Sequence, residues 1–198
     1  MKIIIITLLI ASYSYGQQYT EENGIFHYKD VVEVEKSKED IKSIIKKWSA
    51  VNFNNSNYVT RLDTDDELVI KGSFSIKTDG VKEDIDFTMD VAFKEERYKL
   101  EFYYLSNVNN YIGIKFPITH PDKFTKEQFK SSCIEMINQM GFGKKMALKR
   151  IEKEKVFNKY YERSKADMAK TYFKVEDKIK SLALSIKNDV SNKKKDDW

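Results

Sequence analysis

The sequence predicts an α+β fold, in which an antiparallel sheet is covered by helices on one face and followed by a long C-terminal helical extension. Three observations predict it. Apolar and polar residues alternate over several stretches between residues 24 and 104, two amphipathic stretches open on helix-capping pairs, and residues 144–192 contain neither Pro nor Gly.

Residues 24–34 place Phe26, Tyr28, Val32 and Val34 on one side of an extended chain, with Asp30 the exception, which predicts a first strand. Ser37 followed by Asp40 is a capping pair, and Ile41, Ile44, Ile45 and Trp48 share one helix face. The Asn-rich run 52–57 ends that helix, because Asn side chains compete for backbone hydrogen bonds. Four strands follow. The first, Tyr58 to Leu62, is short; in the second, Leu68, Ile70, Gly72, Phe74 and Ile76 share a face. Ile85, Phe87, Met89, Val91 and Phe93 alternate with Asp84, Asp86, Thr88, Asp90 and Lys94 in the third. In the fourth, Tyr98, Leu100, Phe102 and Tyr104 face away from Arg97, Lys99, Glu101 and Tyr103. Short turns at 63–67, 78–80 and 94–96 make this an antiparallel meander with one packed and one wet face.

A loop carrying Asn107, Asn109, Asn110, Pro117 and Pro121 leads to a second capping pair, Thr125 with Gln128. The helix it opens has Phe129, Cys133, Met136, Ile137 and Met140 on one stripe, expected as a second cover for the sheet, until Gly141 and Gly143 break it. Residues 144–192 then read as one long helix or a pair. Tyr161, Met168, Val175 and Leu182 recur every seven residues, with Tyr172, Ile179 and Ile186 beside them, forming an interaction stripe that needs a cover. The expected cover is this chain's own domain, a second copy or a partner, so that the helix is docked or self-associated and not free. The Gly141-Phe142-Gly143 corner allows the chain to fold back, and the basic character of the segment opposes pairing of two copies.

The domain division follows composition. Residues 1–16 combine Lys2, the apolar run Ile3–Ala11 and small residues ending in Ser14 and Gly16, the pattern of a cleaved signal peptide. Residues 17–140 form the α+β domain and carry 17 Lys and Arg against 22 Asp and Glu; residues 141–198, the basic helical extension, carry 17 against 9. The expected location is outside the cytoplasm, periplasmic or extracellular. A single cysteine, Cys133, excludes an intrachain disulfide and any lipid anchor that needs a cysteine just after the signal.

Residues Gly24 to about Asn107 resemble the secreted bacterial domain of unknown function 4468, described as TBP-like. The resemblance lies in Val31-Val32-Glu33-Val34, the helix with its late Trp48, Ile70-Lys71-Gly72, the run Ile85 to Val91 and Arg97 to Phe102. It implies a TBP-like β-α-β4-α topology, export in a Gram-negative bacterium and no catalytic residues; it does not reach the segment after Gly143. TBP-like refers to topology, and the net acidic domain argues against nucleic acid as a partner.

The chemical inventory points away from an enzyme. His27 and His120 lie at opposite ends of the domain without the close spacing of metal ligands, so neither metal nor cofactor is expected. The acidic turn Asp63 to Glu67 fails as a calcium loop, because the sixth and twelfth positions are Leu68 and Phe74. Asp84, Asp86 and Asp90 line a wet strand face, where cross-strand pairing with Arg97 and Lys99 accounts for them. There is no phosphate-binding glycine loop, nucleophile elbow or paired-cysteine motif. The expectation is a non-catalytic binding or interaction domain of the cell envelope, its partner an unidentified envelope protein or ligand. The alternative is a protein that associates with an anionic membrane or polymer surface through its basic C-terminal helix, Lys193-Lys194-Lys195 included.

Overall fold

Hydrophobic alternation produces a seven-stranded antiparallel sheet in a computed structural model of the chain. It describes residues 18–19, 24–53, 59–109, 114–139 and 142–192; the expected signal peptide, Tyr58, Met140 and Lys193–Lys195 lie outside the described residues. The elements are β1 (Gln18–Tyr19), β2 (Tyr28–Glu33), α1 (Lys38–Asn52), β3 (Val59–Asp63), β4 (Glu67–Thr78), β5 (Val81–Lys94), β6 (Arg97–Asn109), β7 (Ile114–Pro117), α2 (Lys126–Gln139), α3 (Lys144–Ile151) and α4 (Glu154–Ser191). The sheet order is β1-β2-β6-β5-β4-β3, with β7 also pairing with β6.

The two capping pairs form as their spacing predicts. Ser37 Oγ accepts from the Asp40 backbone N–H at 3.1 Å and donates to Asp40 Oδ2 at 2.8 Å. Thr125 Oγ1 accepts from the Gln128 N–H at 3.2 Å, while Gln128 Oε1 accepts from the Thr125 N–H at 2.9 Å, which satisfies two helix-end donors reciprocally. The β4–β5 hairpin turns on Asp79 and Gly80, both at positive φ (50° and 84°), the handedness that matches the twist of a two-residue hairpin.

The residues expected to form a loop differ. Asn107 and Asn109 lie in β6, where Asn107 stands opposite Ile85 on one side and Phe116 on the other. Asn107 is paired with strands on both sides and Asn109 with β7, and this pairing outweighs the turn preference of Asn. β7 was not expected, nor was the short β1.

One face of the sheet carries the core. Ile41, Ile45 and Trp48 of α1 pack on it together with Tyr172, Val175, Ile179, Leu182, Ile186 and Val190 of α4, in a single cluster with Ile70, Phe87, Met89, Leu100 and Phe102. Trp48 Nε1 donates to Ser185 Oγ at 2.9 Å, joining the two helices. Thr171 Oγ1 donates to Glu83 at 3.2 Å and Lys170 pairs with Asp79, tying α4 to the β4–β5 hairpin.

α2 does not cover the sheet. It packs on α3 and the start of α4, where Phe129 meets Phe157 at 5.6 Å between ring centroids. The reason is the quality of the two stripes. In α2 only Ile137 is buried, with Cys133 half-buried and Met136 exposed, whereas α4 offers an unbroken apolar line from Tyr172 to Val190. Among the described residues no helix is long and apolar enough to cross a membrane.

Candidate functional site: the open face of the sheet

The opposite face of the sheet is polar, and the β5–β6 hairpin sets what meets there. Lys94 pairs with Arg97 across the turn, so Ala92 stands opposite Lys99, Asp90 opposite Glu101 and Thr88 opposite Tyr103. The expected pairing of Asp84, Asp86 and Asp90 with Arg97 and Lys99 is therefore corrected. Lys99 binds Glu101 at 3.1 Å, Lys29 of β2 binds the same carboxylate at 3.4 Å, and Asp84 accepts from Ser75 Oγ at 2.6 Å and pairs with Lys82 at 3.4 Å. Asp86 stands opposite Ser106.

Between Asp86 and Thr88 the register shifts, and Tyr104 and Leu105 of β6 together face the single residue Phe87. This is a β-bulge, an extra residue that bends the strand and re-aims side chains. Tyr104 absorbs it at a φ of 52°, a region that a bulky residue rarely occupies. Tyr104 was expected on the packed face with Phe102. It is instead 74% exposed, its ring 4.8 Å from that of Tyr103, and Leu105 takes the buried position. The three-residue step from Phe102 to Leu105 is the sequence signal of this break in alternation.

His27, just ahead of β2, turns its ring to the Tyr103 ring at 6.0 Å, and its buried Nε2 has no hydrogen-bond partner. Asp90 Oδ1 is likewise buried and unpartnered. Burial raises the Asp90 carboxyl above its ordinary range, reinforced by Glu67 and Glu101 and opposed by Lys99. Burial also pushes Glu101 upward, but Lys99 and Lys29 outweigh it and hold that carboxyl low. Tyr103 is raised by burial and then by Asp90. Both lysines thus bond to Glu101, and Asp90, on which Lys99 acts only through its charge, has no donor for its buried Oδ1.

The other singled-out residues lie elsewhere. His120 is in the turn before α2, where Nδ1 accepts from the Asp122 N–H at 3.2 Å and the ring meets Tyr172. Cys133 is half-buried in α2, and burial pushes its thiol up, away from thiolate reactivity. The acidic turn 63–67 is held by lysines of α1: Lys42 and Lys46 both reach Asp63, and Lys38 reaches Asp66 at 3.0 Å. Among the described residues no group of three His, Cys, Asp or Glu could hold a metal ion.

The stripe of α4 divides in two. Tyr172, Val175, Ile179, Leu182 and Ile186 are buried on the sheet, with Ala183 and Val190 extending the line. Tyr161 is buried in a separate small cluster, stacked on Phe124 at 5.9 Å, its hydroxyl donating to the Phe124 carbonyl at 2.8 Å; Met168, between the two, is half-buried. A polar cleft of about 420 Å³ opens between the end of α1, β4 and α4, lined by Phe53, Phe74, Ser75, Asp84, Lys178 and Leu182.

No family model matches the chain, and no curated protein sequence matches it. Among solved structures the backbone is similar to that of a TBP-like protein from Parabacteroides distasonis ATCC 8503, with a TM-score of 0.50 and 18% identity, over 86% of this chain and 97% of that one. The fold is TBP-like. The share of this chain in the TBP-like match cannot be reached without residues after 141, so the likeness includes part of the helical extension. A DUF4468 family protein from Bacteroides ovatus ATCC 8483 aligns at a TM-score of 0.43 and 11% identity, over 50% of this chain and 64% of that one.

Proposed function

We propose that this protein is an exported, non-catalytic binding domain of a bacterial cell envelope and that its working surface is the open face of the sheet. The observation that carries the reading is the Tyr103–Tyr104 pair at the bulge, standing beside a carboxylate, Asp90, whose buried oxygen lacks a partner. A bulge that places an exposed aromatic at positive φ in the middle of a sheet costs backbone energy, of the order of 1–3 kcal/mol, and such strain concentrates where a surface is used. The Lys2 to Gly16 pattern supports export.

The chemistry favours a cationic group. Tyrosine faces attract ammonium and guanidinium ions, and a cation placed there also meets Asp90 and Glu67, neither of which is in an ion pair among the described residues, although the charge of Lys99 acts on Asp90 through space.

A titration of the mature chain with tri-lysine, followed through backbone amide resonances, tests this. The expected result is saturable shifts confined to residues 88–90 and 101–104, lost in Asp90→Asn and in Tyr104→Ala. Absent shifts, or shifts that survive both substitutions, overturn the site. Turnover on a panel of hydrolase and transferase substrates overturns the non-catalytic reading.

A further inference from the structure

α4 cannot offer its apolar stripe to a surface, because that stripe is already buried. α3 is arranged differently. At 100° per residue, Ala147, Leu148 and Ile151 share the half-buried side, and Lys145, Met146, Lys149 and Arg150 share the exposed one. Met146 is 62% exposed at the centre of that cationic side, and Phe142, at the corner preceding the helix, is 93% exposed. The helix contains no acidic residue, and over residues 142–160 there are seven Lys and Arg against two Glu. None of the ion pairs among the described residues involves Lys145, Lys149 or Arg150.

We infer that the exposed side of α3, with Phe142 at its head, is a docking surface for an anionic lipid bilayer. Charge complementarity selects a polyanionic partner, since clustered cations gain from the potential of anionic headgroups. The two apolar side chains select a bilayer over a hydrated polymer. Phe142 and Met146 stay wet against a hydrated polymer but lose water on entering an acyl boundary, as the apolar side of an interfacial helix does. This surface is separate from the open face of the sheet, and its failure would leave the sheet site untouched.

Co-sedimentation of the mature chain with phosphatidylcholine vesicles, with and without 30% phosphatidylglycerol as a chosen probe, tests the inference. Binding to the anionic vesicles is expected to exceed that to neutral ones by at least about tenfold and to weaken with salt. Lys145→Glu/Lys149→Glu/Arg150→Glu should abolish it, and Phe142→Ser/Met146→Ser should lower it about tenfold or more, by removing burial of two apolar side chains. These positions are exposed, so unchanged circular dichroism and unchanged tri-lysine titration should accompany the loss. Equal binding to both vesicle types overturns the inference. So does binding to a DNA duplex that is as tight as binding to anionic vesicles, or retention of vesicle binding by either variant.

Discussion

Gly72 lies in β4 directly opposite Phe87 of β5, on the packed side of the sheet. A Cβ at this position would stand 2.9 Å from Phe87 Cζ and 3.2 Å from Cε1, inside van der Waals contact. The ring cannot retreat: it is 2% exposed and hemmed by Phe53, Phe74 and Phe102 at 5.0, 5.6 and 5.7 Å between centroids. Gly72 is not in the left-handed region, so alanine fits the backbone and gains about 0.5–1 kcal/mol by restricting the unfolded chain. Overpacking opposes this with about 1–3 kcal/mol. Gly72→Ala should therefore destabilise the mature chain by about 1–2 kcal/mol, a fall of about 2–8 °C in Tm for a chain of this size. Urea unfolding read by far-UV circular dichroism measures it, with an unchanged m value. The decisive control is the same substitution in a Phe87→Leu background, where the shorter side chain removes the clash. There Gly72→Ala should be neutral or slightly stabilising, a coupling of about 1–3 kcal/mol. An equal loss in both backgrounds, or a gain in the wild-type one, would refute the steric argument.

Three further outcomes follow from the same geometry. Ile179→Ala, at a fully buried position of α4 within the sheet's core, should cost about 2–5 kcal/mol and lower one cooperative transition; separate melting of helix and sheet would contradict a shared core. The Asp90 carboxyl is raised in the folded state, so the fold holds this proton more tightly than the unfolded chain, and stability falls as pH rises through the window just above the ordinary carboxylate range. Asp90→Asn should remove that loss and stabilise at neutral pH by about 0.5–1 kcal/mol, discounted because the group is partly solvated; an unchanged pH profile of Tm would count against it. Asp63 is held low, first by its bond to Lys46 and then by Lys42, so its contribution is present above the ordinary carboxylate range and is lost as pH falls through the depressed folded value. Asp63→Asn should lower Tm at neutral pH and low salt and flatten its acid-side fall; identical melting curves at all salt concentrations would show that the α1 lysines contribute nothing there.

The sequence by itself determined what depends on near neighbours. Period-two alternation in 68–76 and 85–93, the Ser37–Asp40 and Thr125–Gln128 caps, and the absence of Pro and Gly after residue 144 act within a few residues, and each appears in the structure as the matching strand or helix. Only the tertiary structure decided which stripe covers the sheet. The α2 and α4 stripes are both apolar by pattern, and the choice of α4 rests on continuous burial against β4 and α1, a property of surfaces far apart in the chain. It also decided the candidate site. Alternation placed Tyr104 inside, but packing Leu105 into the core required an extra residue in β6, and the bulge turned Tyr104 out beside Tyr103. The missing donor at Asp90 Oδ1 arose in the same way, because strand register put Glu101 opposite it and Lys99 bonds to Glu101. Local pattern sets which face a side chain prefers, whereas register and packing, which pair residues across strands, set what it meets there.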